Sequence, residues 1–193
     1  MIRRPPRSTL DRSSAASDVY KRQVQGHAST ASPTRLVWFG GLGDPAGSST
    51  SDLTTKNNTI TFVEIATTGN AENFGTLPTK TNSATASSNG VRGFVMGGQT
   101  PSPFSASDIF VITFASKGDA TDYDDLNNSP AYLPNMGSVS SSSKAIVAGG
   151  VTTNVIQSFN MSTSGQAADF GDLTIARYAP GGVSDSHGGL TDL

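Results

Sequence analysis

The chain has 193 residues, of which only 15% are charged, and its formal net charge is −2 at pH 7. This length suits a single domain. The absence of cysteine excludes disulfides, thiolate catalysis and cysteine-ligated zinc. The low charged fraction, together with abundant Gly, Ser, Thr and Asn, is typical of secreted or surface β proteins and unlike a helical cytosolic enzyme.

Residues 1–23 differ in composition from the rest of the chain. They contain six of its 13 lysines and arginines and no apolar run of signal-peptide length. Such an arm is also typical of targeting peptides and of nucleic-acid-binding segments. The stretch MIRRPPRSTLDRSSAASDVYKRQ, however, resembles the conceptual translation of sequencing-adaptor DNA. This resemblance implies a disordered or artefactual segment whose basic residues carry no function, and without them we expect no nucleic-acid partner.

A repeat follows residues 24–34, which are small and polar and predict a linker or a damaged first strand. One basic residue, a short apolar run and two glycines recur as RLVWFGG at 35–41, RGFVMGG at 92–98 and KAIVAGG at 144–150. The first glycines of the three pairs are spaced 57 and then 52 residues apart. Periods of this size predict propeller blades or solenoid coils, because one unit of such an architecture cannot bury its apolar face without a neighbour.

The paired glycines are expected to end a buried strand and to turn the chain. Glycine adopts positive φ and lets two backbones approach closely, so a glycine pair suits a sharp turn. A phosphate-binding loop is the alternative, but neither GxxxxGK[ST] nor GxGxxG before a helix follows any pair. We therefore predict no cofactor, and structural roles for the repeat glycines Gly40, Gly41, Gly97, Gly98, Gly149 and Gly150.

Two further strands follow each glycine pair. β-Branched and aromatic residues dominate TITFVEIA at 59–66, DIFVITF at 108–114 and VIQSFNM at 155–161, which predicts strands. A later marker keeps Gly, Ala, an aromatic and Leu at fixed offsets and predicts a short outer strand, whose aromatics are Phe74, Tyr123 and Phe170. The segments rich in small residues predict weak strands for a crowded inner edge, at 79–88, 129–142 and 174–186.

One basic residue precedes each apolar run at the same offset, as Arg35, Arg92 and Lys144. We expect these cations to pair with carboxylates of an adjacent strand or unit, the candidates being Asp122, Asp125, Asp169 and Asp172. Binding of an acidic glycan is the alternative role. Trp38, the only tryptophan, lies inside an apolar run and is expected in the core, since a sugar-stacking platform would need it exposed.

Residues with catalytic or metal-binding potential are few. The densest carboxylate group suggests calcium, but its spacing is not that of an EF-hand loop, and a solvated turn is the simpler interpretation. This group comprises Asp119, Asp122, Asp124 and Asp125. The only histidines, His27 and His187, lie near the two ends, and no GxSxG pattern supports Ser-His-Asp catalysis. We predict no catalytic residue, no metal site and no enzyme.

The strand order predicts an all-β fold, since no window has sustained helical periodicity and no apolar run approaches transmembrane length. The order of the strands in each unit resembles that of kelch-type β-propeller blades, over residues 34–190. A small-residue strand comes first, then the diglycine strand, the β-branched strand and the acidic-aromatic strand. Phe74, Tyr123 and Phe170 replace the usual late Trp. The resemblance implies a kelch-like β-propeller fragment of about three four-stranded blades over residues 35–190, whose missing blades come from a longer chain or from another chain.

A narrower resemblance concerns the third unit. STSGQAADFGDLTIARY at 162–178, followed by SDSHGGL at 184–190, is similar to repeats in structural tail or virion proteins of marine tailed phages. This resemblance implies a non-enzymatic structural or receptor-binding virion component, of tail-fibre or decoration type. It contacts other virion subunits, with a host-surface glycan as a candidate ligand. The loops at 43–57 and 99–107 vary most among the units and are the expected recognition segments.

Two other functions are consistent with the sequence. An extracellular or cell-surface carbohydrate-binding β-propeller module would expose aromatic side chains on one face. An enzyme is the third hypothesis, because propellers also host glycosidases and oxidases, but it would need convergent carboxylates or a metal site.

Overall fold

The computed structural model describes residues 24–43, 55–101, 107–127 and 134–184, and its regular structure in those ranges consists of twelve β-strands. The prediction of an all-β chain is confirmed. Among the same residues, no helix is long and apolar enough to cross a membrane. Several expectations concern residues outside these ranges: the segment 1–23, most of the loops 43–57 and 99–107, and His187.

The strands form three four-stranded antiparallel sheets. Sheet 1 contains β1 (Ala28–Ala31), β2 (Arg35–Phe39), β3 (Thr59–Glu64) and β4 (Glu72–Thr76). Sheet 2 contains β5 (Thr85–Ser88), β6 (Arg92–Met96), β7 (Asp108–Thr113) and β8 (Thr121–Asp125). Sheet 3 contains β9 (Gly137–Ser140), β10 (Lys144–Ala148), β11 (Val155–Asn160) and β12 (Ala168–Asp172). In each sheet the spatial order follows the chain, in the predicted succession of strand types.

The sheets also share an irregularity. The pairing of the third strand with the fourth shifts register between Ile60 and Thr61, and at the matching positions of the other two sheets, Ile109/Phe110 and Ile156/Gln157. A β-bulge of this kind increases the local twist and bends the fourth strand of the sheet. The three sheets therefore share the same strand pairing, including the position of the bulge.

The small-residue segments differ in outcome. Residues 24–34, expected to be a linker or a damaged first strand, contain the strand β1, which pairs with β2 from Ala28↔Phe39 to Ala31↔Leu36. Pairing with β2 compensates for the low strand propensity of ASTA, so sheet 1 begins before Arg35. By contrast, residues 174–184, the described part of the expected strand at 174–186, contain no strand. Each of the other small-residue strands pairs with the diglycine strand that follows it, and no such strand follows Ser184 among the described residues.

Two apolar cores lie between the sheets. The first joins sheet 1 residues such as Phe39 and Ile60 to sheet 2 residues such as Val95 and Ile112. The second joins the opposite side of sheet 2 to sheet 3, and it contains Phe94, Met96, Ile109, Val147 and Phe159. Because side chains alternate between the two faces of a strand, the apolar run of β6 contributes Val95 to the first core and Phe94 and Met96 to the second.

The two ends of this stack present apolar faces that no described sheet covers. The outer face of sheet 1 consists of residues that alternate with those of the first core: Leu36, Trp38, Thr61, Val63 and Ile65. The open face of sheet 3 lies at the opposite end and consists of Ile146, Ala148, Ile156, Phe170 and Leu173. Ile65 and Phe170 are 54% and 55% exposed.

Candidate functional site

The repeated residues meet where one sheet docks on the next, beginning at the glycine pairs. All six glycines have positive φ, for example +57° at Gly40 and +109° at Gly41. A Cβ atom on Gly40 would lie 2.4 Å from the carbonyl oxygen of Thr81, which leads into sheet 2. The Gly41 amide donates a hydrogen bond of 2.8 Å to that same oxygen. The pair thus lets the backbone of sheet 1 approach the chain entering sheet 2.

The repeat arginines connect each sheet to the following one. The Arg35 guanidinium donates to the carbonyl oxygen of Phe114, in the turn after β7 of sheet 2. It also pairs with Glu64 of its own sheet, with Nε 2.7 Å from Oε1, and lies over the Phe62 ring. Arg35 therefore connects sheet 1 to sheet 2 through a charge-assisted hydrogen bond, while its ion pair and its cation–π contact lie within sheet 1.

Arg92 repeats this contact one sheet further on. Its guanidinium donates to the carbonyl oxygen of Met161, which has the same position in sheet 3 as Phe114 has in sheet 2. The guanidinium carbon is 5.4 Å from the ring centroids of both Phe94 and Tyr123. Lys144, at the same position of sheet 3, is exposed, and its ammonium lies 5.9 Å from the Phe170 ring.

The expected pairing of these cations with aspartates is wrong. Among the described residues the ion pairs are Arg35–Glu64 and Lys117–Glu72, and neither involves the four candidate aspartates. The register explains the difference, because the basic residue begins the second strand and lies beside the end of the third. The acidic strand lies one strand beyond it, and the side chain extends toward the next sheet.

The repeat aromatics differ in burial according to their neighbours. Phe74 is only 3% exposed and contacts Phe62 edge-on at 5.7 Å. Tyr123 is half-buried, packs against Phe94 at 5.0 Å, and donates its hydroxyl to the carbonyl of Asn160 in sheet 3 at 2.9 Å. Phe170 has no following sheet among the described residues and is largely exposed. The same position therefore changes from buried to exposed along the stack.

Small side chains connect the first strands of successive sheets, which are β1, β5 and β9. The Ser88 hydroxyl donates to the carbonyl of Ala31 at 2.6 Å. The Ser140 hydroxyl donates in the same way to the carbonyl of Ser88 at 2.8 Å. The strands β5 and β9 therefore each donate a side-chain hydrogen bond to the backbone of the first strand of the preceding sheet.

A second connection between units has no counterpart in the sequence analysis. Gly26, Ser83, Asn135 and Ala179 all have left-handed backbone conformations, with φ between +48° and +63°. The Ser83 amide donates to the Gly26 carbonyl at 2.7 Å, Asn135 to Ser83 at 2.8 Å, and Ala179 to Asn135 at 3.0 Å. We call these four residues the left-handed ladder. They have no side-chain type in common, so the available signal was their constant position two residues before the four-residue stretches ASTA, TASS, GSVS and GGVS.

The carboxylates of the suggested calcium group serve different purposes. Asp119 faces sheet 1, where its Oδ1 accepts hydrogen bonds from the amide and hydroxyl of Thr76 at 2.8 and 2.9 Å. Two other members of the group, Asp122 and Asp125, lie near Asp108. Burial raises the pKa of Asp108, and the nearby charges of Asp125 and Asp122 raise it further. In the part of the chain that the structure describes, no group of three or more His, Asp or Glu side chains is arranged to hold a metal ion.

The outer face of sheet 1 contains a pocket of about 300 Å³, lined in part by Trp38, His27, Thr61 and Ala71. Trp38, expected in the core, is half-buried and lines this pocket instead. Its neighbours Val37 and Phe39 point into the first core, and alternation along β2 turns Trp38 to the opposite side.

Taken together, the repeat-matched residues form contacts from sheet to sheet, through guanidinium groups, hydroxyls and backbone amides. No protein-family model matches this chain, and no curated protein matches it either.

Proposed function

We propose that the three sheets are consecutive blades of a kelch-like β-propeller, and that the protein is a non-enzymatic structural or receptor-binding component of a phage virion. The observation that carries the proposal is that sheet 2 docks on sheet 1 as sheet 3 docks on sheet 2. Arg35 and Arg92 each reach a carbonyl of the next sheet. Ser88 and Ser140 each bond the preceding inner strand.

The outer strands support the same repeated docking. The Ala120 amide donates to the Thr76 carbonyl at 2.9 Å, and the Ala167 amide donates to the Asp125 carbonyl at the same distance. Hydrogen bonds therefore join adjacent sheets at both the inner and the outer strands, with an apolar core between them. Such a stack is rigid, and it leaves the connecting loops available for recognition.

Three features support a virion role: the rigid stack, the low charged fraction of the chain, and the resemblance of the third unit to phage repeats. In the described repeat, the conspicuous polar residues engage neighbouring backbone and hold sheets together. We therefore place the function in assembly and binding, with other virion subunits or further blades as partners and with the virion as location.

Mass spectrometry of purified phage particles that encode the sequence tests the virion role. The residues between Lys144 and Arg177 form one diagnostic tryptic peptide, because no other lysine or arginine lies between these two. We expect this peptide in particles at a stoichiometry comparable to that of tail or capsid proteins. Its presence only in the soluble lysate of infected cells, with particles free of it, would contradict the proposal.

A carbohydrate-binding module is the second candidate, favoured by Trp38, which is half-buried and lines the pocket on sheet 1. An indole ring in such a position can stack on a sugar face. Titration calorimetry against the glycans that score highest on an array is the test. This candidate predicts that Trp38→Ala abolishes binding while Ile65→Ala, on the same face but outside the pocket lining, retains it. Equal affinities for the two variants would exclude this pocket as the binding site.

A further inference from the structure

We infer that residues 181–184 are the inner strand of a fourth unit, and that the open face of sheet 3 is the docking surface for the remaining strands of that unit. The inference rests on the stacking part of the proposed function and is independent of the virion role. Its occupant is a sheet of the same repeat, and its evidence lies in the backbone, the packing and the exposed face.

The left-handed ladder sets the register. After Gly26, Ser83 and Asn135, a strand begins two residues later, at Ala28, Thr85 and Gly137. Ala179 has the same conformation, and its amide donates to the Asn135 carbonyl as the earlier members donate to theirs. The matching four-residue segments read ASTA, TASS, GSVS and GGVS, the last at 181–184. Residues 181–184 thus have the position and the small side chains of an inner strand.

The chain just before Ala179 matches as well. The Gly150 amide donates to the Arg177 carbonyl at 2.9 Å, as Gly41 donates to Thr81 at 2.8 Å. Arg177 and Thr81 each lie two residues before a member of the left-handed ladder. The second glycine of sheet 3 therefore already makes, with residue 177, the contact that sheet 1 makes with the chain entering sheet 2.

The segment also packs where the next inner strand belongs. A Cβ atom on Gly182 would lie 2.3 Å from the Ser138 carbonyl oxygen, so this stretch runs directly against β9. The hydroxyl of Ser184 is 3.4 Å from that of Ser140, which itself bonds Ser88. The row of inner strands β1, β5 and β9 therefore continues with residues 181–184.

The open face of sheet 3 has the composition of two faces that are covered elsewhere. Ile60 and Ile109 are fully buried by the following sheet, whereas Ile156, at the same position, is half-buried. Leu77 and Leu126 are likewise buried, and Leu173 is not. A pocket of about 420 Å³ remains between this face and residues 180–182. The open face of sheet 3 therefore has the apolar residues that, in sheets 1 and 2, pack against the following sheet.

A second copy of this chain fits the site less well than a fourth unit does. Its β1 would need the place that residues 181–184 already hold. Its outer face would also present Leu36 where sheets 2 and 3 present Gly93 and Ala145. A Cβ atom on Gly93 would already approach the Thr30 side chain to 3.1 Å, so the larger Leu36 does not suit this docking geometry. We therefore assign the site to a fourth unit that begins with this chain's own strand.

The test uses the full chain with residues 141–184 repeated once in tandem after Ser184, the residue equivalent to Ser140. Because the chain contains no cysteine, one introduced thiol reports one position. Phe170→Cys in the first copy places it on the open face, and Ile65→Cys places it on the outer face of sheet 1 as the matched control. We expect thiol alkylation at position 170 to slow at least about tenfold in the extended chain, since it then requires local opening. Alkylation at position 65 should not change.

A further pair of variants tests the ladder in the extended chain. Ala179→Pro removes the amide that bonds Asn135 and imposes a negative φ, whereas Ala179→Gly keeps both features available. We expect Ala179→Pro to restore fast alkylation at position 170 and Ala179→Gly to preserve protection.

Unchanged alkylation at position 170 in the extended chain overturns the inference, whether or not the added copy is folded. Protection of both thiols in the unextended chain, rising with protein concentration, would assign the face to a second copy instead. Neither result depends on whether phage particles contain the protein, so failure of the virion role is recognised separately.

Discussion

The contact of Arg92 with sheet 3 gives the sharpest test of how the sheets are held together. Its guanidinium donates to the carbonyl of Met161, a fully buried residue, and lies over two aromatic rings. Arg92→Met keeps much of the apolar stem and removes the charge and the donors. Hydrogen bonds with a charged partner contribute about 1.5–3 kcal/mol, and cation–π contacts at exposed sites about 0.5–1 kcal/mol. For a half-buried arginine we expect a loss of about 2–3 kcal/mol in unfolding free energy.

Lys144→Met supplies the matched control, because Lys144 has the same repeat position without a described sheet beyond it. We expect a change below about 0.5 kcal/mol, as for most surface substitutions. Urea unfolding followed by circular dichroism measures both variants, with the denaturant slope as a check on the mode of unfolding. Equal losses for the two variants would refute the view that Arg92 stabilises the stack by reaching the next sheet.

Three further predictions concern single positions. Gly40→Ala places a Cβ atom 2.4 Å from the Thr81 carbonyl oxygen at a position of positive φ. We therefore expect thermal denaturation to show a loss of about 2–5 kcal/mol in unfolding free energy. A loss under about 1 kcal/mol would contradict the geometry. In urea unfolding, Phe74→Ala should lower the unfolding free energy by about 3–5 kcal/mol and Phe170→Ala by under about 1 kcal/mol, because only Phe74 is buried. A larger loss for Phe170→Ala than for Phe74→Ala would be inconsistent with the stack. Burial, with Asp125 and Asp122 nearby, raises the pKa of Asp108 above 3.8, so the folded state binds this proton more tightly than the unfolded state. Stability should fall as pH rises from near 3.8 through the raised pKa, and Asp108→Asn should remove that fall; identical pH profiles for the two proteins would exclude this group as the cause.

The order of strands within each sheet followed from the sequence because each strand type carries its own chemical mark. The glycine pairs, the β-branched runs and the acidic-aromatic strands recur at similar spacings, and pairing with the next strand along the chain is the simplest arrangement for them. β1 was harder to recognise, because ASTA has few strong strand formers and becomes a strand by pairing with β2.

The partners of the cations could not be deduced from spacing. The sequence shows where Arg35 and Arg92 recur, but every residue offers a backbone carbonyl, so nothing marks Phe114 and Met161 as acceptors. Trp38 illustrates the same limit, because an apolar run does not reveal which of its two faces has a neighbour. The sequence did not predict the left-handed ladder, because its members have no side-chain chemistry in common.

The left-handed ladder joins the units through main-chain atoms alone, and this has a consequence for how such a protein diversifies. Its members lie 57, 52 and 44 residues apart, yet each makes the same hydrogen bond. Segments between successive members can therefore lengthen, shorten or change in composition while the attachment from unit to unit is retained. Exposed loops on a frame of this kind can acquire new binding specificities during evolution with little effect on the frame that carries them.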